Sequence, residues 1–185
     1  MPRKNGPWTI NETIPKYKNP WIEVVEDQVI QPDGKPGIFS VVKLKDGSAI
    51  LPIDEQGFVY LAEQFRYILG KSSVETPCGA IDEGETPLLT AQRELKEELG
   101  ILAEEWTDLG IVNPFTESIY SSAFLFLARK LTFVESSQEE TEDIELIKVP
   151  FEEAVKMVVE SKITHGPSCV LILKAKEFLQ NNFIQ

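Results

Sequence analysis

Cysteine and histidine are scarce in this chain, and their scarcity limits the metal sites and cross-links it can form. Cys78 and Cys169 are the only cysteines among 185 residues, and His165 is the sole histidine. Because neither cysteine belongs to a Cys-x-x-Cys pair, a zinc site of the usual Cys/His kind is not expected. The two thiols lie far apart in sequence, and we expect them to be buried and free rather than joined in a disulfide.

Long apolar runs are absent as well. No apolar run approaches the roughly 20 residues that a helix needs to cross a bilayer. Residues 1–18 also lack the apolar stretch of a signal peptide. The sequence therefore predicts a cytoplasmic protein that has no membrane partner.

Positive charge is in deficit, which bears on the choice of partners. The chain has 18 basic residues against 30 acidic residues, a formal net charge of −12. Such a field repels polyanions, so nucleic acid is not expected as a partner. A small anionic substrate is compatible with this charge, because a bound metal ion can invert the sign of the local charge in a pocket.

The segments that are present predict a fold with both strands and helices, in one domain with an extension. Strands are predicted where β-branched and aromatic residues cluster between turn signals, at residues 21–30, 38–44, 45–53, 57–67, 106–112, 122–131 and 144–149. Helices are predicted at residues 87–99, 150–161 and 168–180, and residues 1–18 are expected to form a loose arm. Strands on both sides of a central helix, with helices at the end, indicate a mixed sheet between helical layers.

The central helix is the most clearly bounded element. It lies in the stretch "GAIDEGETPLLTAQRELKEELGI", residues 79–101. Thr86 suits the N-cap, and Pro87 suits the first helical position, where its missing N–H has no cost. Gly100 suits the left-handed residue that follows Leu99 at the C-terminal end.

Three carboxylates fall on one flank of this helix. At about 100° per residue, Glu94, Glu97 and Glu98 share one arc. A second arc is expected to face the core; it contains Leu88, Ala91, Gln92, Leu95 and Leu99. The acidic flank is either a solvated face or a site for a cation. Like charges four residues apart repel, and carboxylates near a helix C-terminus oppose its dipole. A hard divalent cation such as Mg²⁺ would compensate both effects.

The spacing in this stretch resembles a known family motif. The pattern Gly-x5-Glu-x7-Arg-Glu-Leu-x-Glu-Glu-x-Gly-Ile matches the Nudix box of the Nudix hydrolases at every defining position, namely Gly79, Glu85, Arg93, Glu94, Leu95, Glu97, Glu98, Gly100 and Ile101. The resemblance implies an α/β (α+β) fold, the Nudix α/β/α sandwich with a mixed sheet, here with an additional N-terminal antiparallel sheet. It also implies that the helix binds metal for a substrate that carries a nucleoside diphosphate linked to another group.

The same resemblance assigns the metal ligands. Glu94 and Glu98 are implied as the main ligands, with Glu97 as a third and the backbone carbonyl of Cys78 as a further one. The implied ion is Mg²⁺, with Mn²⁺ as the alternative.

Further members of the motif orient these ligands. Arg93 is implied to hold the carboxylates in place by pairing with Glu85, and Arg93 and Glu94 are counted among the catalytic residues. A guanidinium fork can fix a carboxylate in one geometry, which a lysine could not do. Gly79 and Gly100 are expected to act as turn and cap residues.

A weaker resemblance extends over most of the chain, to the ADP-ribose pyrophosphatase-like group of the family. The segments "NPWIEVVED", "PDGKPGIFSVV", "VYLAEQFRY", "ETPCGAIDEGE" and "IELIKVPFEEA" carry it. Members of this group are commonly dimers that exchange N-terminal sheets, so a homodimer is implied. The implied domains are residues 1–50, an N-terminal arm and antiparallel strands that dimerise, and residues 51–185, the Nudix hydrolase domain.

Three candidate residues lie outside the box. Arg66 matches a position that contacts substrate phosphates, although an exposed strand arginine is the structural alternative. Trp21 falls where the group presents an aromatic ring to the base, often from the partner subunit, although packing is the alternative. The catalytic base matches Glu140, in the loop before the last strand, with Glu139 and Glu142 as rivals.

The resemblance implies Mg²⁺-dependent hydrolysis of a nucleoside diphosphate sugar, with ADP-ribose as first choice, to a nucleoside monophosphate and a sugar phosphate. One departure keeps other sugars open. ADP-ribose pyrophosphatases typically carry a proline some fifteen or sixteen positions after the box, where this chain has Thr116 and Glu117, and its nearest proline is Pro114. The alternatives are another Nudix substrate (GDP-mannose or another sugar nucleotide, a dinucleotide, a nucleoside triphosphate or a capped RNA end) and a non-catalytic nucleotide-sensing module.

Overall fold

A computed structural model describes residues 1–138 and 143–182 of the chain. Over these residues the chain forms twelve strands and three helices. The strands are β1 (Arg3–Asn5), β2 (Trp8–Lys18), β3 (Ile22–Ile30), β4 (Pro36–Leu44), β5 (Gly47–Pro52), β6 (Phe58–Arg66), β7 (Lys71–Glu75), β8 (Cys78–Ala80), β9 (Ile101–Val112), β10 (Ile119–Tyr120), β11 (Ala123–Phe133) and β12 (Ile144–Pro150). The helices are α1 (Pro87–Leu99), α2 (Phe151–Val159) and α3 (Gly166–Asn182).

The chain divides into two compact units that interleave in sequence. The first unit contains Met1–Lys45 and Asn113–Ser122, and the second contains Asp46–Val112 and the described residues from Ala123 onward. The first unit holds one sheet with the order β1-β2-β3-β4-β10. Its first four strands are antiparallel, whereas β10 pairs parallel with β4. The additional sheet predicted from the sequence is therefore present, with one short parallel strand at its edge.

The first eighteen residues are not the loose arm that the sequence predicted. They form β1 and β2, which are joined by a turn at Gly6 (φ +55°) and continue into β3. Most side chains of β2 are exposed, so this strand is held by backbone pairing rather than by burial and shows little hydrophobic alternation. Pro15 lies at a register shift between β2 and β3, where a missing N–H is tolerated.

The second unit contains two sheets. One has the order β8-β5-β11-β9, in which β5 and β11 run parallel and the other pairs are antiparallel. The other has the order β12-β6-β7 and is antiparallel. The mixed sheet expected from the sequence is confirmed.

Buried strands of the second unit alternate their side chains between two helical layers, because successive residues of a strand point to opposite faces. On one face Ile50, Tyr60, Ala62 and Phe126 form a core with Ala91, Leu95 and Leu99 of α1. On the other face Ala49, Leu51, Leu61, Leu125 and Leu127 form a core with Ala154, Val155, Leu171, Ile172 and Ala175 of α2 and α3. Each large aliphatic side chain buried in this way contributes about 1.5–3 kcal/mol. The predicted α/β/α layering is confirmed.

Helix α1 has the predicted ends. Thr86 caps its start by accepting the N–H of Leu89 at 3.3 Å, and Pro87 occupies the first turn. Gly100 ends the helix at φ +62° and donates its N–H to the carbonyl of Lys96 at 2.9 Å.

The buried face of α1 is rotated from the predicted one. Ala91, Leu95 and Leu99 are buried as expected, whereas Leu88 and Gln92 are exposed. Thr90 and Glu98 take their place in the buried arc. The prediction was wrong there because it centred the buried face on the leucines, whereas the polar residues Thr90 and Glu98 are buried.

Other expectations have mixed outcomes. Strands β7 and β8 were not predicted, and β9 begins earlier than expected, directly after α1. Both cysteines are free, as predicted, but they are half-buried rather than fully buried. No helix in the described part of the chain is long and apolar enough to span a membrane.

Candidate active site

The guanidinium of Arg93 binds three acidic residues of the motif, one in the loop before α1 and two on the acidic flank of that helix. Nε and Nη2 of Arg93 donate to the two carboxylate oxygens of Glu85 at 2.9 and 3.0 Å. Nη1 donates to Glu94 at 2.6 Å and to Glu97 at 3.0 Å. Nη2 also donates to the carbonyl of Ala80 at 3.2 Å. All five N–H donors of Arg93 therefore have an acceptor, and a lysine has neither the number nor the arrangement of donors to replace it.

The Glu85 carboxylate is held as an anion by this arrangement. Its hydrogen bonds from Arg93 and from Thr90 Oγ1, the latter at 2.7 Å, lower the pKa of Glu85 to about 2. Glu85 in turn raises the pKa of Arg93 above its ordinary value. The pair predicted from the sequence is thus present, and it fixes the loop before α1 to the helix.

Gly79 leaves the space that the Glu94 carboxylate occupies. A Cβ atom at position 79 would lie 1.9 Å from Oε1 and 2.0 Å from Cδ of Glu94. The carboxylate therefore lies directly over the backbone of β8, beside Cys78. The requirement for glycine here is a close approach, not a turn.

The three flank carboxylates differ in exposure. The side chain of Glu97 is 39% exposed and that of Glu94 is 12% exposed, whereas Glu98 is only 3% exposed as a residue. Their oxygens do not form a compact group of three donors in the structure. The donor set still fits a hard divalent cation, because it consists of carboxylates. One of them, Glu94, lies in the space left by the missing side chain of Gly79.

Arg66 lies beside this flank and is tied to a buried acid. Its Nε and Nη2 donate to the two oxygens of Glu75 at 3.0 and 2.6 Å. The Glu75 side chain is 3% exposed and that of Arg66 is 34% exposed. Burial is the largest single influence and raises the pKa of Glu75, but the hydrogen bonds and charge of Arg66, together with His165 and Ser73, hold that pKa below its ordinary value. The negative charge of Glu98 also acts on Arg66, which places these elements close together.

A polar cluster that the sequence did not predict continues from Glu75. Nδ1 of His165 lies 3.4 Å from Glu75 Oε2 and 2.8 Å from Ser168 Oγ. Ser168 also accepts the backbone N–H of Thr76 at 2.9 Å. The thiol of Cys78 lies 3.9 Å from Arg66 Nη2. No spacing rule joins these residues, because His165, which directly precedes α3, and Ser168 of α3 reach β7 and β8 only in the folded chain.

Two predicted residues are not among the contacts described above. Trp21 belongs to the first unit, is 75% exposed, and donates its backbone N–H to Asn19 Oδ1 at 2.9 Å. Glu140 and its rivals Glu139 and Glu142 lie outside the described residues. Their role as the base stays a prediction.

The residues that flank this segment are fixed to the end of α1. Gln138 Nε2 donates to the carbonyls of Glu98 at 2.9 Å and of Ile144 at 3.0 Å. The N–H of Ser137 donates to the carbonyl of Glu97 at 3.1 Å. Sequence reasoning missed Gln138, because a single glutamine in a polar loop has no distinguishing pattern.

Comparison with known families identifies the class. Residues 43–166 match the NUDIX domain family, and residues 8–42 match the family described as the nucleoside diphosphate sugar hydrolase N-terminal domain. The chain belongs to the Nudix hydrolase family. Nudix hydrolases depend on a divalent metal ion, in keeping with the acidic flank of α1.

Individual relatives extend over nearly the whole chain. An ADP-ribose pyrophosphatase of Bacillus subtilis (strain 168) is 31% identical over 163 residues, which cover 86% of this chain and 88% of that protein. A methanol dehydrogenase activator of Bacillus methanolicus is 29% identical over 167 residues, covering 86% and 89%. A crystal structure of an ADP compounds hydrolase matches with a TM-score of 0.85 over 97% of this chain and 98% of that chain, at 16% identity. This last likeness is one of fold.

Proposed function

We propose that this protein hydrolyses the pyrophosphate bond of a nucleoside diphosphate sugar, with ADP-ribose as the first substrate to test. The products would be a nucleoside monophosphate and a sugar phosphate. The observation that carries the proposal is the saturated Arg93 guanidinium, which holds Glu85, Glu94 and Glu97 in one arrangement. The similarity to an ADP-ribose pyrophosphatase over most of both chains supports the substrate class.

Glu94, Glu97, Glu98 and the carbonyl of Cys78 would hold the metal, and Mg²⁺ is proposed because these donors are all oxygens. When bound, the ion neutralises diphosphate charge and makes a bound water more acidic. Mn²⁺ is the alternative ion. Arg93 has no N–H donor left for a substrate, so it acts by positioning Glu94 and Glu97.

Arg66 is proposed to contact the substrate phosphates. Its Nε and Nη2 edge is engaged by Glu75, so the planar fork directs Nη1 away from that carboxylate. A guanidinium fixed in this way can stabilise charge that develops on a phosphate oxygen without reorganising during the reaction. The Glu75 pair is thus the support that orients Arg66.

Glu140 is proposed as the base that takes the proton from the attacking water. Support comes from Gln138, which precedes Glu140 by two positions in sequence and donates its Nε2 to the carbonyl of Glu98 at 2.9 Å. Near-normal turnover by Glu140→Gln would show that another residue takes the proton, and Glu139→Gln and Glu142→Gln are the matched comparisons.

The remaining expectations also stay proposals. Trp21 is proposed to stack on the base, and its 75% exposure is compatible with that role. A homodimer, a cytoplasmic location and the absence of a nucleic-acid partner rest on the sequence arguments given above.

The proposal is tested by turnover on ADP-ribose, ADP-glucose, GDP-mannose, NADH and ATP with Mg²⁺. Glu98→Gln keeps the shape of the side chain and removes its charge, so we expect kcat to fall by about 100-fold or more, equivalent to about 2.7 kcal/mol. Preference for a hexose nucleotide would retain the reaction and change the substrate. No hydrolysis of any compound with Mg²⁺ or Mn²⁺ would contradict the proposal and favour a nucleotide-sensing module.

A further inference from the structure

A second group of metal-binding atoms lies beside the acidic flank of α1. Among the described residues, ligand atoms of Glu75, Cys78 and His165 all lie within 4.8 Å of one another. The His165 Nδ1 and Glu75 Oε2 atoms are 3.4 Å apart. Ligands of a tetrahedral ion at ordinary zinc bond lengths lie about 3.3–3.6 Å apart. The Cys78 thiol lies within 4.8 Å of the other two ligand atoms, and a shift of these side chains towards a shared ion would complete three corners of a tetrahedron.

The chemistry of this donor set differs from that of the helix. A thiol, an imidazole and one carboxylate favour a borderline-soft cation such as Zn²⁺ or Co²⁺. Mg²⁺ prefers oxygen ligands and keeps its waters, so it has no advantage here. The two groups would therefore select different ions although they are close neighbours.

The local charge also suits a cation. Burial, and then the negative charges of Glu98, Glu75 and Glu94, raise the pKa of the Cys78 thiol, and the positive charge of Arg66 opposes them. The thiol alone therefore stays protonated, and a cation is what would stabilise its thiolate. A coordinated thiol is deprotonated, which adds one more negative charge to the ligand set as the proton leaves to solvent.

We propose that Glu75, Cys78 and His165 form a second metal site, selective for Zn²⁺-like cations over Mg²⁺. The fourth position of the tetrahedron is open to water. His165 exchanges its contact with Ser168 Oγ for the metal, and Glu75 Oε2 is shared between the metal and Arg66 Nη2.

Co²⁺ is the probe that tests binding without any substrate. A tetrahedral Co²⁺ site with a thiolate ligand gives strong visible bands and a thiolate charge-transfer band in the near ultraviolet, whereas Co²⁺ surrounded by six oxygens gives neither. The 185-residue chain is titrated with Co²⁺ in the presence of excess Mg²⁺, which is added to occupy the carboxylates of α1. We expect one equivalent of Co²⁺ to produce both signals and Zn²⁺ to remove them.

Matched variants locate the site. Cys78→Ser is expected to lose the charge-transfer band, and His165→Gln to bind Co²⁺ at least about tenfold more weakly. Cys169→Ser is the control, because its thiol contacts the Ile163 carbonyl and lies outside the group. Circular dichroism verifies that each variant is folded. If Cys78→Ser does not fold, the Co²⁺ affinity of His165→Gln is the measurement that tests the site. Absence of the thiolate band in the wild type, or its persistence in Cys78→Ser, would overturn the proposal.

Zinc at this site has a consequence for turnover that rests on the proposed function. Because the ion competes with Arg66 for Glu75, Zn²⁺ is expected to raise KM more than it lowers kcat, and this effect is expected to be lost in His165→Gln. A protein that binds Co²⁺ as described but hydrolyses no nucleotide sugar would retain the metal site and contradict only the proposed function. The converse result would contradict only the metal site.

Discussion

Gly79 has no side chain, and the Glu94 carboxylate fills the space where one would lie. We expect Gly79→Ala to displace Glu94 and to lower kcat/KM at least about tenfold, equivalent to about 1.4 kcal/mol of transition-state stabilisation. The backbone of β8 can accept alanine, so the protein is expected to stay folded. Steady-state kinetics with Mg²⁺ make the measurement.

Gly166→Ala is the matched control, because a Cβ atom there meets nothing within 4 Å. Equal kcat/KM values for the two variants would show that the Glu94 carboxylate can move away from position 79 without loss of activity.

The Glu85 carboxylate makes stability depend on pH. Its pKa is about 2 in the folded protein against an ordinary value of 4.5. A lowered folded pKa contributes stability that is present above pH 4.5 and is lost as the pH falls from 4.5 towards 2, because the unfolded chain takes up the proton first. We therefore expect the Tm difference between wild type and Glu85→Gln to shrink across this window.

Thermal unfolding from neutral pH down to about 3 tests this expectation. Glu55→Gln, a change at an exposed turn carboxylate, serves as the control. A Tm difference for Glu85→Gln that is constant over the whole range would rule out the assigned linkage.

At the scale of elements, Gly100 ends α1 with a left-handed backbone conformation, and backbone atoms of residues 134–136 pack close to its Cα. Gly100 lies at φ +62°, and a Cβ atom there would be 2.4 Å from the Val134 carbonyl oxygen and 2.9 Å from the Ser136 nitrogen. We expect Gly100→Ala to lower the free energy of unfolding by more than about 2 kcal/mol, measured by urea denaturation. The left-handed backbone alone accounts for about 1–2 kcal/mol of this.

Gly57→Ala separates the two causes. Gly57 has φ +81° but nothing within 4 Å of an added Cβ, so only the backbone cost applies. Equal losses in the two variants would show that the contacts with residues 134–136 relax without cost.

The elements that sequence predicted best are those with local signals. Thr86, Pro87 and Gly100 define α1 because capping depends on neighbours in sequence. Strands β1 and β2 were missed because β2 gains its stability from pairing with β3 rather than from a buried face. Burial of Glu98 was missed for a similar reason: polarity predicts exposure unless the surrounding fold is known.

The contacts of the candidate site also differ in how far the sequence could predict them. The resemblance to the family motif implied the contact of Arg93 with Glu85, and both residues lie in one stretch of 23 residues. Glu75, Cys78 and His165 belong to β7, to β8 and to the position just before α3, and only the tertiary fold brings them together. The sequence even argued against a Cys/His metal site, because such sites are recognised by short spacings.

At the scale of the whole molecule, the first unit presents an incomplete sheet edge. Strand β4 is covered by β10 only at Val42 and Lys43, while Ile38 is 61% and Phe39 39% exposed along the same strand. Exposed apolar edge strands commonly pair with another chain. A symmetric homodimer would place this edge in an isologous interface.

We therefore expect Ile38→Asp to raise the dimer dissociation constant at least about tenfold, or about 1.4 kcal/mol, because it sets two like charges in the interface. Light scattering coupled to size-exclusion chromatography makes the measurement over a range of protein concentrations. Val159→Asp changes a similarly exposed side chain on α2 and is the control. A wild-type protein that is monomeric at all concentrations would contradict the dimer.

The interleaving of the two units also has a consequence during synthesis. A ribosome makes β1 to β4 well before β10, and the chain between them includes all of α1. At ordinary elongation rates, the interval between synthesis of β4 and synthesis of β10 is on the order of ten seconds. During that interval the outer edge of β4 is unpaired along its whole length. The nascent chain is then most exposed to premature strand pairing with other nascent chains on the same mRNA.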